Sequence, residues 1–170
     1  MSTRRPYADA RALIMHFEGC RIAPYLDPVG IWTVGYGHVL HDAHGRVLRG
    51  PTMQPIVDAI YPLAHRTREH AERLLVRDIR TVATGVRTAC GPVPLRPHQR
   101  GALISFAFNV GLAALHRSTL LRRVHAGAYD AVPDELRRWN RAGGKILPGL
   151  VRRREAEARL WQGLPWQEGT

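Results

Sequence analysis

The sequence lacks any long run of apolar residues. No segment of the 170-residue chain approaches the ~18–20 consecutive apolar residues that a membrane span needs. The apolar stretch at residues 12–15 is too short for the core of a signal peptide, and no small-residue cleavage site follows it. We therefore expect a soluble protein made in the cytoplasm, with no signal peptide and no transmembrane anchor.

Cysteine is scarce, and acidic residues are few compared with basic ones. Cys20 and Cys90 fit no spacing of metal ligands, and we expect both to be free thiols. The chain has 25 Lys and Arg residues, almost all of them Arg, against 14 Asp and Glu residues, which gives a net charge of +11. This charge favours a polyanionic partner, and nucleic acid, anionic lipid and bacterial cell wall all fit it.

The spacing of apolar residues predicts the order of structural elements. Residues 9–18 have the spacing of an amphipathic helix. After Pro24 the pattern alternates with period two, and the three residues 28–30 connect two such runs, which predicts a β-hairpin. The remainder has mainly helical spacing. The sequence predicts one α+β domain over residues 1–170, with a β lobe over about 20–66 and a helical lobe over about 67–165 plus helix 9–18.

Three polar residues near the start of the chain could carry hydrolytic chemistry. Glu18, in the last turn of its helix, would face the negative end of the helix dipole, and partial burial would further favour the protonated carboxyl of a general acid. If residues 28–30 form the loop, Asp27 pairs with Ile31, and Thr33 lies on the same face of the hairpin. Two carboxyl groups about 6.5–9.5 Å apart, with a water between them, are the arrangement of an inverting glycosidase. The same residues also suit a solvated helix end, a turn and a strand.

The spacing of these three residues resembles a known family. Glu18, eight residues, Asp27, five residues and Thr33 resemble the Glu-x8-Asp-x5-Thr triad of the phage T4-type lysozymes, the glycoside hydrolase family 24 endolysins. Further similar segments are GYGH (35–38), LISFAFNVG (103–111), STLL (118–121), RWNRAGGK (138–145) and LPGLVRRREAEARLW (147–161). The resemblance runs in order from about residue 8 to 162, and residues 42–66 depart from it.

The resemblance implies a lysozyme-like fold with the active-site cleft between the β lobe and the helical lobe. It implies a monomeric muramidase that hydrolyses the β-1,4 bond between N-acetylmuramic acid and N-acetylglucosamine in peptidoglycan and causes host cell lysis. It further implies that Glu18 donates the proton, that Asp27 and Thr33 position the attacking water, and that the anomeric centre is inverted. No cofactor and no metal are implied.

Three residues in the helical lobe match family positions that line the saccharide cleft, namely Phe108, Asn109 and Ser118. Each has a structural alternative, because Phe108 also suits a packed core, Asn109 a helix end and Ser118 a helix cap.

Asp78 lies on the apolar face of a predicted helix, where an acid needs a partner. His38 resembles the family histidine that pairs with an aspartate on this helix, so we predict a His38–Asp78 ion pair that bridges the lobes and serves stability and positioning more than chemistry. His38, His41, His44 and Asp42 do not predict a metal site, because their spacing does not converge in a hairpin or a turn.

The basic residues of the last helix leave the choice of partner open. Arg152, Arg153 and Arg154 suit a solvated helix face, and the alternative is contact with the anionic wall or outer membrane. With no anchor expected, the protein would stay in the host cytoplasm until a separate membrane-permeabilising protein releases it. Two other functions stay open: a lytic transglycosylase or chitinase-like hydrolase on the same scaffold, and a basic wall- or nucleic-acid-binding module. No nucleic-acid motif is present, so we expect no nucleic-acid partner.

Overall fold

The computed structural model of the chain describes residues 7–169. The helices are α1 (Ala8–Glu18), α2 (Gln54–Ile60), α3 (Arg68–Cys90), α4 (Pro97–Val110), α5 (Leu112–Arg117), α6 (Thr119–His125), α7 (Val132–Arg137) and α8 (Pro148–Trp161). The strands are β1 (Arg21–Leu26), β2 (Trp32–Gly35), β3 (His38–Val39), β4 (Arg141–Ala142) and β5 (Lys145–Ile146). Single 3₁₀ turns occur at Pro51–Met53, Leu63–His65, Tyr129–Ala131 and Trp166–Gly169. The predicted α+β class, with the main sheet early in the chain, is confirmed.

The described residues divide into two compact units. One unit comprises Glu18–Asp78 and contains the three-stranded sheet β1-β2-β3. The other comprises the described residues before Glu18 and after Asp78, and it contains most of the helices together with the two-stranded sheet β4-β5.

The predicted hairpin is present in the unit Glu18–Asp78. Tyr25 lies opposite Thr33 in the antiparallel pair β1-β2, and the amide of Asp27 donates to the carbonyl of Ile31 over 2.9 Å. Gly30 closes the loop with φ of 76°, a left-handed conformation that glycine adopts without a steric penalty. Because side chains alternate along a strand, Asp27 and Thr33 belong to the same face of the sheet.

The sheet packs on its own apolar core within this unit. The buried side chains of the cluster are Trp32, Val34, Leu40, Leu48, Val57 and Tyr61. Gly35 ends β2 with φ of 65°, and a Cβ at this position would lie 3.1 Å from the Cβ of Ala71 on α3. A larger residue would therefore push α3 away from the strand, which explains the first glycine of the GYGH segment.

Residues 49–66 belong to the stretch that departs from the family resemblance, and their apolar pattern is weak. The structure has short helical segments there. A 3₁₀ turn leads into α2, where Pro55 sits in the first turn and costs no hydrogen bond. Val57 and Tyr61 turn inward to the core of the sheet, whereas Ile56 and Ile60 are 41% and 39% exposed. The weak pattern follows from this division, because apolar residues occupy both faces of the helix.

The helical unit is built around α4, whose sequence is apolar nearly all round. Seven consecutive residues, Gly101–Ala107, are buried, as expected for a helix with neighbours on every side. Ser118 caps α6, since its hydroxyl accepts from the amide of Leu121 over 3.0 Å. Of the helices within residues 7–169, none has both the length and the apolar character that a membrane crossing requires.

Candidate active site

Glu18 is the last residue of α1, as predicted, but its surroundings differ from the expectation. The side chain is exposed, so the prediction of partial burial is wrong. The helix ends at Glu18, and Gly19 follows in the left-handed conformation with φ of 65°. The chain therefore leaves the helix axis directly after Glu18.

Asp27 is held firmly by the turn that follows it. Its Oδ1 accepts from the amides of Val29 over 2.9 Å and of Ile31 over 2.8 Å. Both bonds fix the plane of the carboxylate, as in turns that an aspartate initiates. Among the described residues, none donates a hydrogen bond to Oδ2, so this oxygen is the one that a ligand or water can use.

The Thr33 hydroxyl and the Asp27 backbone amide donate to the same carbonyl oxygen. The hydroxyl donates to the oxygen of Ile31 over 3.2 Å, and the amide of Asp27 donates to that oxygen over 2.9 Å. The threonine is buried, with 5% of its surface exposed. Since its proton is committed to Ile31, the hydroxyl can act towards a further partner only as an acceptor.

His38 and Asp78 lie in direct contact in the unit that also holds the three residues above. His38 Nδ1 is 2.7 Å from Asp78 Oδ2, and His38 Nε2 is 3.1 Å from a guanidinium nitrogen of Arg77. Both partners of the pair are partly buried, with 15% and 26% of their side chains exposed. This geometry ties β3 to α3.

The later histidines, His41 and His44, do not form a metal site with His38. Asp42 instead accepts from the backbone amides of Arg46 and His44 and from the Arg46 side chain, and these bonds lower the pKa of Asp42 to about 2. Its carboxylate therefore stabilises a turn. Within residues 7–169, no three His, Cys, Asp or Glu side chains converge where a metal ion could bind.

The three predicted saccharide-binding residues belong to the helical unit. Phe108 is half-buried and Asn109 is exposed at the end of α4. Ser118 is 3% exposed, and its hydroxyl donates to the carbonyl of Leu115 over 2.6 Å in addition to capping α6. The proton and one lone pair of the Ser118 hydroxyl are thus used within the fold, which leaves its second lone pair for a ligand.

A buried charged cluster in the same unit was not predicted from the sequence. The interpretation of Arg152, Arg153 and Arg154 as a solvated face is wrong for two of them, because Arg153 and Arg154 are 3% and 0% exposed. Both contact Glu157, which is also fully buried: Arg153 Nε is 3.3 Å from Oε1, and Arg154 Nη1 is 2.9 Å from Oε2. Ser105 donates to Oε1 over 2.7 Å.

The ionisation of Glu157 follows from its contacts. Burial raises the pKa of the Glu157 carboxyl group, and this effect exceeds the lowering of the pKa by Arg154, Arg153 and Ser105. Ser105 and Arg153 donate to Oε1, and Arg154 lies 2.9 Å from Oε2 as an ion-pair partner. Both guanidinium groups keep their positive charge and cannot accept a proton from the carboxyl group. The geometry therefore holds the carboxylate form, which balances the charge of the buried arginines.

The chain matches the family model described as "Phage lysozyme" over residues 15–157. It is 37% identical over 151 residues to an endolysin of Bacillus phage B103, covering 88% of this chain and 51% of that protein, so it spans about half the length of this relative. It is also 37% identical over 146 residues to a SAR-endolysin of Enterobacteria phage PA-2, covering 85% of this chain and 78% of that protein.

A solved structure supports the same relationship. The muramidase domain of SpmX from Asticaccaulis excentricus superimposes with a TM-score of 0.70 at 29% identity, covering 93% of this chain and 97% of that one. The matched segment contains Glu18, Asp27, Thr33 and the buried cluster around Glu157.

Proposed function

The chain belongs to the phage lysozyme family, and from this premise we propose that it is an endolysin with muramidase-type activity. Its substrate is the β-1,4 bond between N-acetylmuramic acid and N-acetylglucosamine in bacterial peptidoglycan. The observation that carries this proposal is the turn at Asp27. The amides of Val29 and Ile31 fix the Asp27 carboxylate, and the Asp27 amide and the Thr33 hydroxyl both donate to the carbonyl oxygen of Ile31.

Asp27 and Thr33 together suit the activation of a water molecule. A water that attacks carbon needs a lone pair directed at that carbon, so both of its hydrogens should be held elsewhere. Thr33 can only accept, because its proton is bonded to Ile31, and Asp27 Oδ2 is a second acceptor. Two acceptors take the two hydrogens and leave a lone pair for the attack, with Asp27 as the general base.

Glu18 is the general acid of the proposal. Its exposed position at the end of α1 leaves the carboxyl accessible to the oxygen of a bound glycan. The water oxygen bonds to the anomeric carbon while the glycosidic bond breaks. Glu18 gives its proton to the leaving oxygen, and Asp27 takes a proton from the water. One direct displacement inverts the anomeric centre, and exchange with solvent restores both carboxyl groups.

The remaining predicted residues take supporting roles. Phe108 and Asn109 are proposed to contact the saccharide, and Ser118 is proposed to do so from its capping position. His38 and Asp78 are proposed to hold β3 against α3, which keeps the strand pair carrying Thr33 in place, and to take no part in bond cleavage.

The test combines a Glu18→Gln variant with product analysis on soluble peptidoglycan glycan strands. We expect loss of turnover in Glu18→Gln, whereas Glu69→Gln, an exposed glutamate paired with Arg73, keeps wild-type turnover. The first product observed by NMR should be the α-anomer. Turnover retained in Glu18→Gln would contradict the role of the acid, and anhydromuramic ends would identify a lytic transglycosylase instead.

Partner and location beyond peptidoglycan stay predictions. Contact of α8 with an anionic outer membrane now rests on Arg152, which is exposed, since its two neighbours are buried. A monomer without nucleic-acid affinity remains the expected state in solution. Peptidoglycan lies outside the cytoplasmic membrane, and we propose that a separate membrane-permeabilising protein gives this chain access to it from the host cytoplasm.

A further inference from the structure

The buried cluster ends at a predicted saccharide contact. Arg154 donates from Nη2 to the side-chain oxygen Oδ1 of Asn109, and both residues belong to the helical unit. Arg154 is fully buried, whereas Asn109 is exposed at the end of α4. One hydrogen bond therefore connects a buried guanidinium to a side chain on the surface.

This bond decides which way the Asn109 amide points. A guanidinium has only donors, so the atom of Asn109 that faces it must be the oxygen. The nitrogen of the amide then lies on the other side of the group, away from Arg154. Asn109 accordingly presents two N–H donors, and its oxygen faces Arg154, from which it accepts.

Arg154 is itself fixed on several sides. Its Nη1 lies 2.9 Å from Glu157 Oε2, and its guanidinium carbon lies 5.1 Å from the centre of the Phe106 ring. Glu157 is held in turn by Ser105, which donates over 2.7 Å, and by Arg153. A rotation of Arg154 would break contacts of a buried carboxylate, so the orientation of the Asn109 amide is set from inside the unit.

Glu157 also binds a second arginine, Arg153, which contacts Phe17, the residue before Glu18. Arg153, the second guanidinium bound to Glu157, lies with its carbon 5.8 Å from the centre of the Phe17 ring. Phe17 immediately precedes Glu18 in α1. Glu157 thus orients both the arginine that holds Asn109 and the arginine that packs on the last buried turn of α1.

We propose that Glu157 and Arg154 are positioning residues that fix the Asn109 amide so that its N–H groups donate to a carbonyl oxygen of the glycan substrate. This inference rests on the proposed function, because it assigns a ligand group to Asn109. A carbonyl oxygen can only accept, and it therefore matches two outward N–H groups better than a hydroxyl, which also needs an acceptor. Peptidoglycan offers such oxygens on the acetamido groups of the sugars and on the stem peptides.

The decisive variant is Asn109→Asp, which keeps the size of the side chain and its acceptor towards Arg154 but removes both donors. We expect KM for soluble glycan strands to rise about tenfold, the effect of losing one hydrogen bond, with kcat unchanged. The control is Gln162→Glu, the same exchange of amide for acid at an exposed site on the C-terminal side of α8, which should leave KM as in wild type.

Two substrates identify the source of the carbonyl. A higher KM on peptide-free strands of alternating N-acetylglucosamine and N-acetylmuramic acid assigns an acetamido group. A higher KM only on strands that carry stem peptides assigns a peptide carbonyl. An unchanged KM on both strands overturns the proposal, and the contact with Arg154 would then only close the end of α4.

Variants of Glu157 and Arg154 test the positioning role, and the Glu18→Gln background separates substrate binding from turnover. Glu157→Gln should raise KM on the same strand without lowering kcat, and Arg154→Lys carries the measurement if Glu157→Gln does not fold. Wild-type KM in a folded variant overturns the positioning role. In the inactive Glu18→Gln background, adding Asn109→Asp should raise the Kd for the strand by the same factor. Failure of Glu18→Gln to abolish turnover would instead contradict the proposed function.

Discussion

Replacing Glu157 with glutamine should lower the free energy of unfolding by about 3–5 kcal/mol, the cost of removing one partner from a buried ion pair. The carboxylate is fully buried between Arg153 and Arg154, whose side chains are 4% and 0% exposed, so solvent cannot replace the lost charge. An amide in its place would also turn a donor group towards two guanidiniums that have only donors. A typical domain is stable by about 5–15 kcal/mol, so the loss is a large fraction of the total.

The same substitution two residues earlier provides a matched control. Glu155 also pairs with an arginine, Arg137, over 2.7 Å, but the two side chains are 35% and 41% exposed. For such a partly solvated pair we expect Glu155→Gln to cost about 1 kcal/mol or less. The two variants share the helix, the chemistry of the exchange and the change in net charge, so their difference measures the effect of burial.

Urea unfolding at pH 7, followed by tryptophan fluorescence, gives both values, provided that the m-value stays constant. In a thermal scan, the Glu157 variant should unfold on the order of 10 °C below wild type, at about 2–4 °C per kcal/mol for a chain of this size. A loss below about 1 kcal/mol, or no larger than that of Glu155→Gln, would refute the reasoning. It would mean that the carboxyl is already neutral in the folded protein, where an acid and an amide are near equivalents.

Two further predictions concern other ionised groups. A hydrogen bond from Thr119 and contacts with Arg138 lower the pKa of Glu135, so the unfolded state binds more protons near the ordinary pKa of glutamate, about 4.3. The stability difference between wild type and Glu135→Gln should therefore be complete at pH 7 and disappear as the pH falls through the folded pKa; a difference that stays constant from pH 7 to pH 3 contradicts this. Asp78→Asn should cost about 1–2 kcal/mol by weakening the charged contact with His38, with kcat unchanged in glycan turnover, and a large fall in kcat would show that the pair takes part in catalysis.

The hairpin could be predicted because its information is local. Pro28–Gly30 supply a turn that only a few residues can form, and alternation along the strands then fixes the register. From the register it follows that Asp27 and Thr33 share a face. The position of Glu18 in its helix was likewise predictable from apolar spacing, whereas its exposure depends on how the chain continues after Gly19.

The buried cluster could not be identified from composition, because an arginine run is usually solvated. A signal was nevertheless present: Arg153, Arg154 and Glu157 fall at helical spacing between the apolar residues of α8 and share its buried face with Leu160. The carboxylate can be buried there because Ser105 on α4 donates to it and the two arginines balance its charge. Ser105 lies 52 residues away along the chain, so the spacing within α8 alone could not reveal it.

Asp27 and Thr33 each have a structural role in the hairpin that is compatible with the proposed role in catalysis. Asp27 does form a turn, with Oδ1, and that use of one oxygen is what directs the other oxygen outward. Thr33 does sit in a strand, and its bond to the carbonyl of Ile31 is what restricts the hydroxyl to accepting. The structural role of each residue therefore sets the hydrogen-bonding direction that the proposed water site requires. Asn109 follows the same logic at the end of α4, since its bond to Arg154 holds the oxygen towards that residue and leaves both N–H donors for a ligand. In each case a hydrogen bond within the fold decides which donors or acceptors of the side chain are left for a ligand.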